Sequence, residues 1–239
     1  MTYIIMAAGE GKKMHPLTLK CPKTMYKLDN EITIIKRMVK QIRKFDDEAE
    51  IVVVVGFMSD SIEKELFMEN VILIRNPFYK ITKSAVSLWF ASDYLNRDNV
   101  VLLNSDVVFS DRIMGDLICV DTDKPYVLVD KKSIIEDNYK VQIENGRVLL
   151  ISQQITSPSA GYCSVIKLDC ISARVTYDEI HKLINMDIYN QYFEDVITQM
   201  IFSDSFEIFS EDICHSEWVE INTVDELIKA RMISNPALY

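Results

Sequence analysis

The chain has 239 residues, 49% of them hydrophobic and 26% charged. That composition suits one α/β unit with a sizeable core and excludes disordered and fibrous classes, and six Gly and six Pro exclude linker-rich or collagen-like organisation. With 26 Lys+Arg against 36 Asp+Glu the formal charge is −10, and so anionic a surface does not attract duplex nucleic acid.

The N-terminus, Met1-Thr2-Tyr3-Ile4, carries no charged leader and enters a strand-like segment at once, which argues against a signal peptide. Residues Tyr3 to Met6 form a short apolar run that stops at Ala7-Ala8-Gly9, and a loop rich in Gly, Lys and Pro follows to about Asn30. Ile32, Ile35, Met38, Val39 and Ile42 then recur at helical spacing. Ile51 to Val55 is a continuous β-branched run, the pattern of a strand covered on both faces. A second helix begins at Ser59, Val71 to Ile74 is a strand stopped by Asn76-Pro77, and Ser84 to Leu95 reads as a helix. Val100 to Leu103 is the next buried strand and ends at Asn104-Ser105-Asp106. Alternation of strand and helix over this half predicts a parallel, doubly wound core.

Afterwards the rhythm changes. Tyr126 to Val129 reads as a strand, and Asn145-Gly146 between Val141–Ile143 and Arg147–Ile151 signals a hairpin. Gly161 to Leu168 is a further strand. A helix over Tyr189 to Phe202, strands at Phe206 to Phe209 and Trp218 to Ile221, and a helix from Val224 to Ile233 complete the chain. No apolar run approaches the roughly 18 residues of a membrane span, so no membrane partner is expected. The cysteines Cys21, Cys119, Cys163, Cys170 and Cys214 are odd in number and lack Cys-x-x-Cys spacing, which points to reducing cytoplasm. His15, His181 and His215 share no metal spacing.

The string Ala7-Ala8-Gly9-Glu10-Gly11-Lys12-Lys13-Met14-His15-Pro16-Leu17-Thr18 follows the first strand directly. Two glycines two apart let backbone amides approach an anion, and Lys13 adds a point charge. Taken alone the glycines serve a tight turn equally well. Between Lys12 and Lys44 ten Lys/Arg face only Asp29 and Glu31, a local excess of about +8 inside an acidic protein, and phosphate binding is the natural use of that contrast. A Walker A loop is absent, and Met14 stands where a dinucleotide fingerprint needs its third Gly. Asp106 lies just past a buried strand, where an open sheet has its crevice; position alone fits a turn cap and a metal ligand equally.

The same string with Pro22-Lys23, Asn76-Pro77, Ser87-Leu88-Trp89, Asn104-Ser105-Asp106, Tyr192-x-Glu194-Asp195 and Trp218-Val219-Glu220-Ile221-Asn222-Thr223 resembles the nucleoside triphosphate transferases, most of all the small bacterial CTP:phosphocholine, phosphonate and phosphoglutamine cytidylyltransferases. The resemblance covers nearly the whole chain. It implies a Rossmann-like three-layer α/β/α fold with a mixed, mostly parallel sheet and a small antiparallel β insertion. It implies a single domain over 1–239, with a nucleotide-binding half at about 1–110 and an acceptor-binding half at about 111–239. It implies CTP and a small phosphorylated acceptor as partners, and Mg²⁺ as cofactor; it permits a homo-oligomer.

Residue by residue, the resemblance assigns nucleotide binding to Ala7, Ala8, Gly9, Glu10, Gly11, Lys12, Lys13, Lys23, Ser84, Asn104 and Ser105, and catalytic roles to Lys13, Lys23 and Asp106. Acceptor binding falls to Lys83, Tyr162, Tyr192, Glu194 and Asp195. Among the other aromatics, Tyr79, Tyr139, Tyr189 and Trp218 are further candidates to line that pocket, whereas Trp89 reads as core. Asp106 becomes a metal ligand. The second acid of the pattern is Asn222 here, an uncharged ligand that weakens the metal site or brings in Glu220 or Asp195. The usual Arg is Lys13, which keeps charge and loses bidentate geometry. Lys83 adds a cation near the acceptor and favours an acceptor bearing a carboxylate, of the L-glutamine phosphate type, over phosphocholine. The expected reaction is CMP transfer with release of pyrophosphate for capsule or surface-polysaccharide decoration. Two rivals stand beside it: a sugar-1-phosphate nucleotidyltransferase, and a nucleotide-binding regulator that has lost turnover through Asn222.

Overall fold

The computed structural model describes residues 1–29, 31–97, 99–203, 206–213 and 217–235; Cys214 and His215 lie outside them. Side-chain alternation on β1 (Thr2–Ala7) decides the layering. All six residues are buried. Ile4 and Met6 enter the core on one face of the sheet, while Tyr3, Ile5 and Ala7 enter the core on the other. β2 (Glu50–Val55) and β4 (Val100–Asn104) flank β1 in parallel, and β3 (Ile72–Arg75) lies beyond β2. These strands are continuous apolar runs because helices cover both faces.

On one face sit α1 (Ile34–Phe45), α2 (Ser59–Glu65), and the short α4 (Asp111–Ile113) with the π turn Met114–Ile118 that continues it. Thr33 caps α1 by accepting from the Lys36 N–H at 3.2 Å. On the other face sit α3 (Ser84–Phe90), α5 (Cys170–Asn185) and α6 (Phe193–Ser203). Each fully buried Val, Ile or Leu in these two layers contributes about 1.5–3 kcal/mol before chain entropy is counted.

Beyond β4 the pairing is antiparallel except between β6 and β10, which run parallel. β9 (Ala160–Leu168) pairs with β4, then β6 (Tyr126–Asp130), β10 (Phe209–Asp212), β8 (Arg147–Ser152) and β7 (Lys140–Glu144) complete the order β3-β2-β1-β4-β9-β6-β10-β8-β7. The β7–β8 hairpin turns on Asn145 and Gly146 at φ 52° and 81°, the two positive values a type I′ turn requires. A separate ribbon joins β5 (Val107–Phe109) to β11 (Trp218–Glu220), and α7 (Val224–Ser234) packs on it through Leu227 and Ala230. The expected α/β fold, with helices on both faces of a mixed sheet and an antiparallel portion, is thus present.

Three local expectations need correction. The helix α5 has no counterpart in the sequence reading. Asp169 caps it by accepting from the Ser172 N–H at 2.7 Å, and Ala173, Thr176, Ile180 and Leu183 face inward, yet Ile171 is 77% exposed and blurs the period. The strand expected at Phe206 to Phe209 is instead Phe209–Asp212, where polar Ser210, Glu211 and Asp212 are held by parallel pairing to β6 while Phe206 packs on the core; pairing overrides side-chain propensity there. α6 starts at Phe193 rather than Tyr189, because the carbonyls of Tyr189 and Gln191 accept from the N–H groups of Lys83 and Ala85 ahead of α3. No helix among the described residues is long and apolar enough to cross a membrane.

Candidate active site

The connection from β1 runs to one side of the sheet and β4 lies on the other, so the strand order reverses between them. A crevice outside the carboxyl ends of the strands at such a point is where open α/β sheets bind ligands. The loop after β1 and the Ser105-Asp106 turn after β4 both emerge there, tied by the Ser105 N–H on the Met6 carbonyl at 3.3 Å. A cavity of about 530 Å³ at the opposite strand ends, lined by Asp46, Asp47 and Asp121 among others, repels phosphate by its charge.

In the first loop Gly11 is left-handed, with φ 64°. A Cβ there would meet Thr18 Cγ2 at 3.2 Å and Lys23 Cβ at 3.3 Å, whereas the space over Gly9 is open. Thr18 closes the turn by donating to the Gly11 carbonyl at 2.8 Å. Glu10 pairs with Lys12 at 3.0 Å. Ala7 and Ala8 are buried, and the Ala8 carbonyl accepts from the Phe57 N–H at 3.0 Å. Gly56 makes that approach possible, since a Cβ on it would stand 2.8 Å from the Ala8 oxygen; sequence reading did not single it out.

Lys23 stands at the centre. Its side chain is 10% exposed, and its Nζ donates to Asp106 Oδ2 at 2.6 Å and to Asn222 Oδ1 at 3.1 Å. Asn222 in turn donates from Nδ2 to Glu220 Oε1 at 2.8 Å and to Asn138 Oδ1 at 3.3 Å. This network fixes the amide's orientation, because a flipped amide would set its NH₂ against the Lys23 ammonium. The Asn222 backbone N–H donates to Glu226 Oε2 at 2.7 Å, and Ile221 N–H donates to the Asp106 carbonyl at 2.9 Å. Lys13 donates to Asn138 Oδ1 and to the Asp137 carbonyl, both at 3.2 Å. Burial pushes the Glu220 carboxyl above its usual range, and the negative Asp106 adds to the rise. Its Oε2 accepts weakly from Asn138 and from Ser164, each at 3.4 Å, with Ser164 at φ 60° within β9. Asn138 and Ser164 escaped the sequence reading. Asn138 lies in an irregular loop without a local signal, and Ser164 sits inside a buried strand.

The acceptor-side candidates form a second group. Asn104 at the end of β4 donates to Glu194 Oε1 at 3.2 Å. Burial pushes the Glu194 carboxyl up to about 8. Asp195 accepts from the Tyr139 hydroxyl and the Tyr192 N–H, both at 3.0 Å. The Tyr139 ring packs edge-on against Tyr162 and Tyr192, with centroids at 6.4 and 5.9 Å. Lys83 Nζ lies 5.1 Å over the Tyr192 ring and 3.3 Å from its hydroxyl. Ser84 accepts from the Phe193 N–H at 3.0 Å and so holds the start of α6. The Ser105 carbonyl accepts from Thr24 Oγ1 at 3.2 Å.

Other aromatics go elsewhere. Trp218 stacks on Phe109 and donates to Asp130 Oδ2 at 2.9 Å, away from the Tyr139 group. Tyr189 donates to Asp187, Tyr79 meets Phe57, and half-buried Trp89 packs on Phe90 and His181.

The Asp106 and Asn222 oxygens converge on one cationic point, the Lys23 ammonium, and Asp106 Oδ1 has no protein partner among the described residues. That donor set, a carboxylate and an amide oxygen, matches the oxygen chemistry of Mg²⁺.

Residues 3–136 match the family of MobA-like NTP transferase domains. The bifunctional protein GlmU of Methanococcus maripaludis is 30% identical over 113 residues, 47% of this chain and 26% of that protein, so the chain spans about a quarter of that relative. Among solved structures, the CTP:phosphocholine cytidylyltransferase from Streptococcus pneumoniae is similar with a TM-score of 0.79 at 19% identity over 98% of both chains. The inositol-1-phosphate CTP transferase from T. maritima gives 0.75 at 17% identity, over 99% of this chain and 96% of that one. A putative glucose-1-phosphate thymidylyltransferase from Bacillus anthracis gives 0.77 at 18%, over 98% and 95%. At these identities the likeness is one of fold.

Proposed function

Because the chain belongs to the MobA-like NTP transferase domain family, we propose that it is a nucleotidyltransferase that moves CMP from CTP to a small phosphorylated or phosphonylated acceptor. One acceptor oxygen forms a bond to the α-phosphorus, the bond from that phosphorus to the α,β-bridging oxygen breaks, and pyrophosphate leaves. The acceptor oxygen is already ionised near neutrality, so the protein supplies position and charge rather than a general base. The observation that carries this reading is Lys23, whose ammonium joins the oxygens of Asp106 and Asn222 at the reversal of strand order.

In this scheme backbone amides from Gly9 to Lys12 hold the β- and γ-phosphates and Lys13 offsets charge on the leaving pyrophosphate. Lys23 spans the α-phosphate and the acceptor phosphate. Asp106 and Asn222 would hold Mg²⁺, with Glu220 behind Asn222, and the ion would supply neutralisation of phosphate charge. Ala7 and Ala8 let the base lie against backbone, and Asn104 and Ser105 shape the floor. Lys83, Tyr162, Tyr192, Glu194 and Asp195 receive the acceptor, of L-glutamine phosphate, phosphocholine or aminoethylphosphonate type, activated in the cytoplasm for surface-polysaccharide decoration.

The fold is shared alike with two CTP-using enzymes and with a thymidylyltransferase, so the choice of CTP rests on the motif resemblance. The stretch similar to GlmU favours a second reading, a sugar-1-phosphate nucleotidyltransferase. Pyrophosphate release with each of the four nucleoside triphosphates and each acceptor class separates the two. Release confined to CTP with a non-sugar acceptor is expected; preference for UTP or dTTP with glucose-1-phosphate supports the second reading.

A further inference from the structure

The nine-stranded sheet closes on itself at one end, where β7 pairs with β9 as well as with β8. At the other end β3 pairs only with β2, and none of its four residues is fully buried. Parity fixes which of its backbone groups are free. The Asn76 N–H donates to the Val55 carbonyl at 2.8 Å, so Ile72, Ile74 and Asn76 turn their amides and carbonyls toward β2. Val71, Leu73 and Arg75 alternate with them and point outward. Among the described residues nothing bonds the outward N–H or C=O of Leu73 or Arg75.

An open edge is ordinarily blunted by Lys, Pro or a bulge. Here three consecutive positions are Ile72, Leu73 and Ile74, and the one charge, Arg75, turns back to Asp60 and Glu63 of its own chain at 2.8 and 2.7 Å. Exposed apolar side chains border the edge at both ends. Phe67 and Met68 lie ahead of the strand at 80% and 85% exposure, and Phe78 lies beyond it, stacked on Phe90 with ring centroids 6.3 Å apart. Apolar groups gathered on an unpaired strand mark an interaction surface.

We propose that β3 is the interface of a homodimer, in which a second copy of this chain lays its own β3 antiparallel along the edge and continues the sheet. The strand is complementary to itself. With the two-fold axis at Leu73, the middle of the three outward residues, the two copies of Leu73 exchange both N–H···O bonds, and each Arg75 N–H donates to the second copy's Val71 carbonyl. The Val71 N–H is already given to the Glu69 carbonyl at 2.9 Å and takes no part. The same register sets Ile72 opposite the second copy's Ile74, apolar against apolar. The antiparallel sense also carries Phe78 toward the second copy's Met68, ring against thioether.

The exposed parts of Phe67, Met68, Ile72, Arg75 and Phe78 give roughly 500 Å² per copy, and with the strand edge they approach the about 800 Å² per partner of a standard interface. An interface of that size between chains of formal charge −10 makes a reversible dimer that salt strengthens by screening.

Sedimentation velocity of the full chain over about 1–100 µM, at low and moderate salt, gives the mass, and residue-resolved amide exchange by NMR locates the edge. Expected is twice the chain mass of 27.6 kDa at the upper concentrations. Exchange at Leu73 and Arg75 should slow at least about tenfold on association, while Ile74 and Asn76, already bonded to β2, change little. Phe67→Glu combined with Met68→Glu, both on exposed side chains, should raise the dissociation constant at least about tenfold with the circular dichroism unchanged. Arg75→Pro deletes an outward N–H, spares the bonds to β2 and should do the same. A monomer at every concentration overturns the proposal. So does a dimer that leaves the Leu73 and Arg75 amides unprotected, because it forms through another surface, such as the exposed row Val224, Ile228 and Met232 of α7. If a variant fails to fold, exchange on the wild-type protein decides alone. Neither measurement depends on nucleotidyl transfer, so the dimer and the reaction stand or fall separately.

Discussion

Replacing Asn222 by aspartate sets two opposed effects against each other. The Asn222 amide gives a hydrogen bond to Glu220 Oε1 at 2.8 Å and takes one from Lys23 at 3.1 Å. Asn222→Asp keeps the acceptor for Lys23 and deletes the donor to Glu220. Loss of a hydrogen bond to a charged group costs about 1.5–3 kcal/mol. The new carboxylate then faces Glu220 across a similar distance, in a place where burial already raises the Glu220 carboxyl. At an effective dielectric of about 20 such a contact costs up to about 4 kcal/mol, but protonation of one carboxyl caps it well below that. A stronger pair with Lys23 returns about 1–2 kcal/mol. The net without metal is a loss of about 2 kcal/mol, or a Tm lower by roughly 4–8 °C for a chain of this size.

Mg²⁺ reverses the sign, because two carboxylates then share a divalent ion. The half-saturating Mg²⁺ concentration for pyrophosphate release should fall about tenfold, equivalent to about 1.4 kcal/mol. Thermal melts in EDTA and in Mg²⁺, with a Mg²⁺ titration of the rate, read both effects. An unchanged metal-free Tm together with an unchanged Mg²⁺ requirement would refute the reasoning that Glu220 holds Asn222 as an amide beside the ion.

Three further outcomes are expected. Gly9→Ala, where the added methyl meets open space, should leave the Tm within about 1 °C yet raise the nucleotide KM at least about tenfold, whereas Gly11→Ala, at φ 64° and 3.2 Å from Thr18, should also lose about 1–2 kcal/mol of stability. Lys23→Met should lower kcat/KM by about 10²–10³, with a smaller stability loss of about 1–2 kcal/mol because the Asp106 side chain is 24% exposed; near-normal kcat would remove Lys23 from the reaction. Burial pushes the Glu194 carboxyl from an ordinary 4.5 up to about 8, so its contribution to stability is fully present below pH 4.5 and is lost as pH rises toward 8. Glu194→Gln lacks that loss, of up to about 5 kcal/mol, and urea melts should show the variant gaining on the wild type between pH 5.5 and 8; a gap that stays constant with pH would argue against a buried neutral Glu194.

Much of this architecture was legible because its signals are local. Ile51 to Val55 and Val100 to Leu103 are apolar on both faces, so their runs announce central strands. Asn145-Gly146 announces its turn by chemistry, and Gly9-x-Gly11 announces the tight turn after β1, with Gly11 at positive φ. Positions made by tertiary structure were not legible. Asn138 matters because it bridges Lys13, Asn222 and Glu220, and Gly56 because Ala8 passes over it; neither fact has a trace within a few residues of its own position. The strand β10 is polar and exists through pairing with β6. Trp218 was placed with the acceptor aromatics by residue type, but its register opposite Phe109 carries it to another layer. Helix α5 could have been found: Asp169 with Ser172 is an N-cap signature, and Ala173, Thr176, Ile180 and Leu183 keep helical spacing.

The central claim, transfer of a nucleotide to a small phosphorylated acceptor at the Lys23–Asp106–Asn222 centre, is tested most directly by pyrophosphate release in Mg²⁺. The panel holds the four nucleoside triphosphates against aminoalkyl phosphates, phosphocholine, L-glutamine phosphate and glucose-1-phosphate, with Lys23→Met alongside. The account predicts release with CTP and a non-sugar acceptor, abolished in the variant. Tight nucleotide binding with no release from any pair, in the wild type and in Asn222→Asp alike, would contradict it.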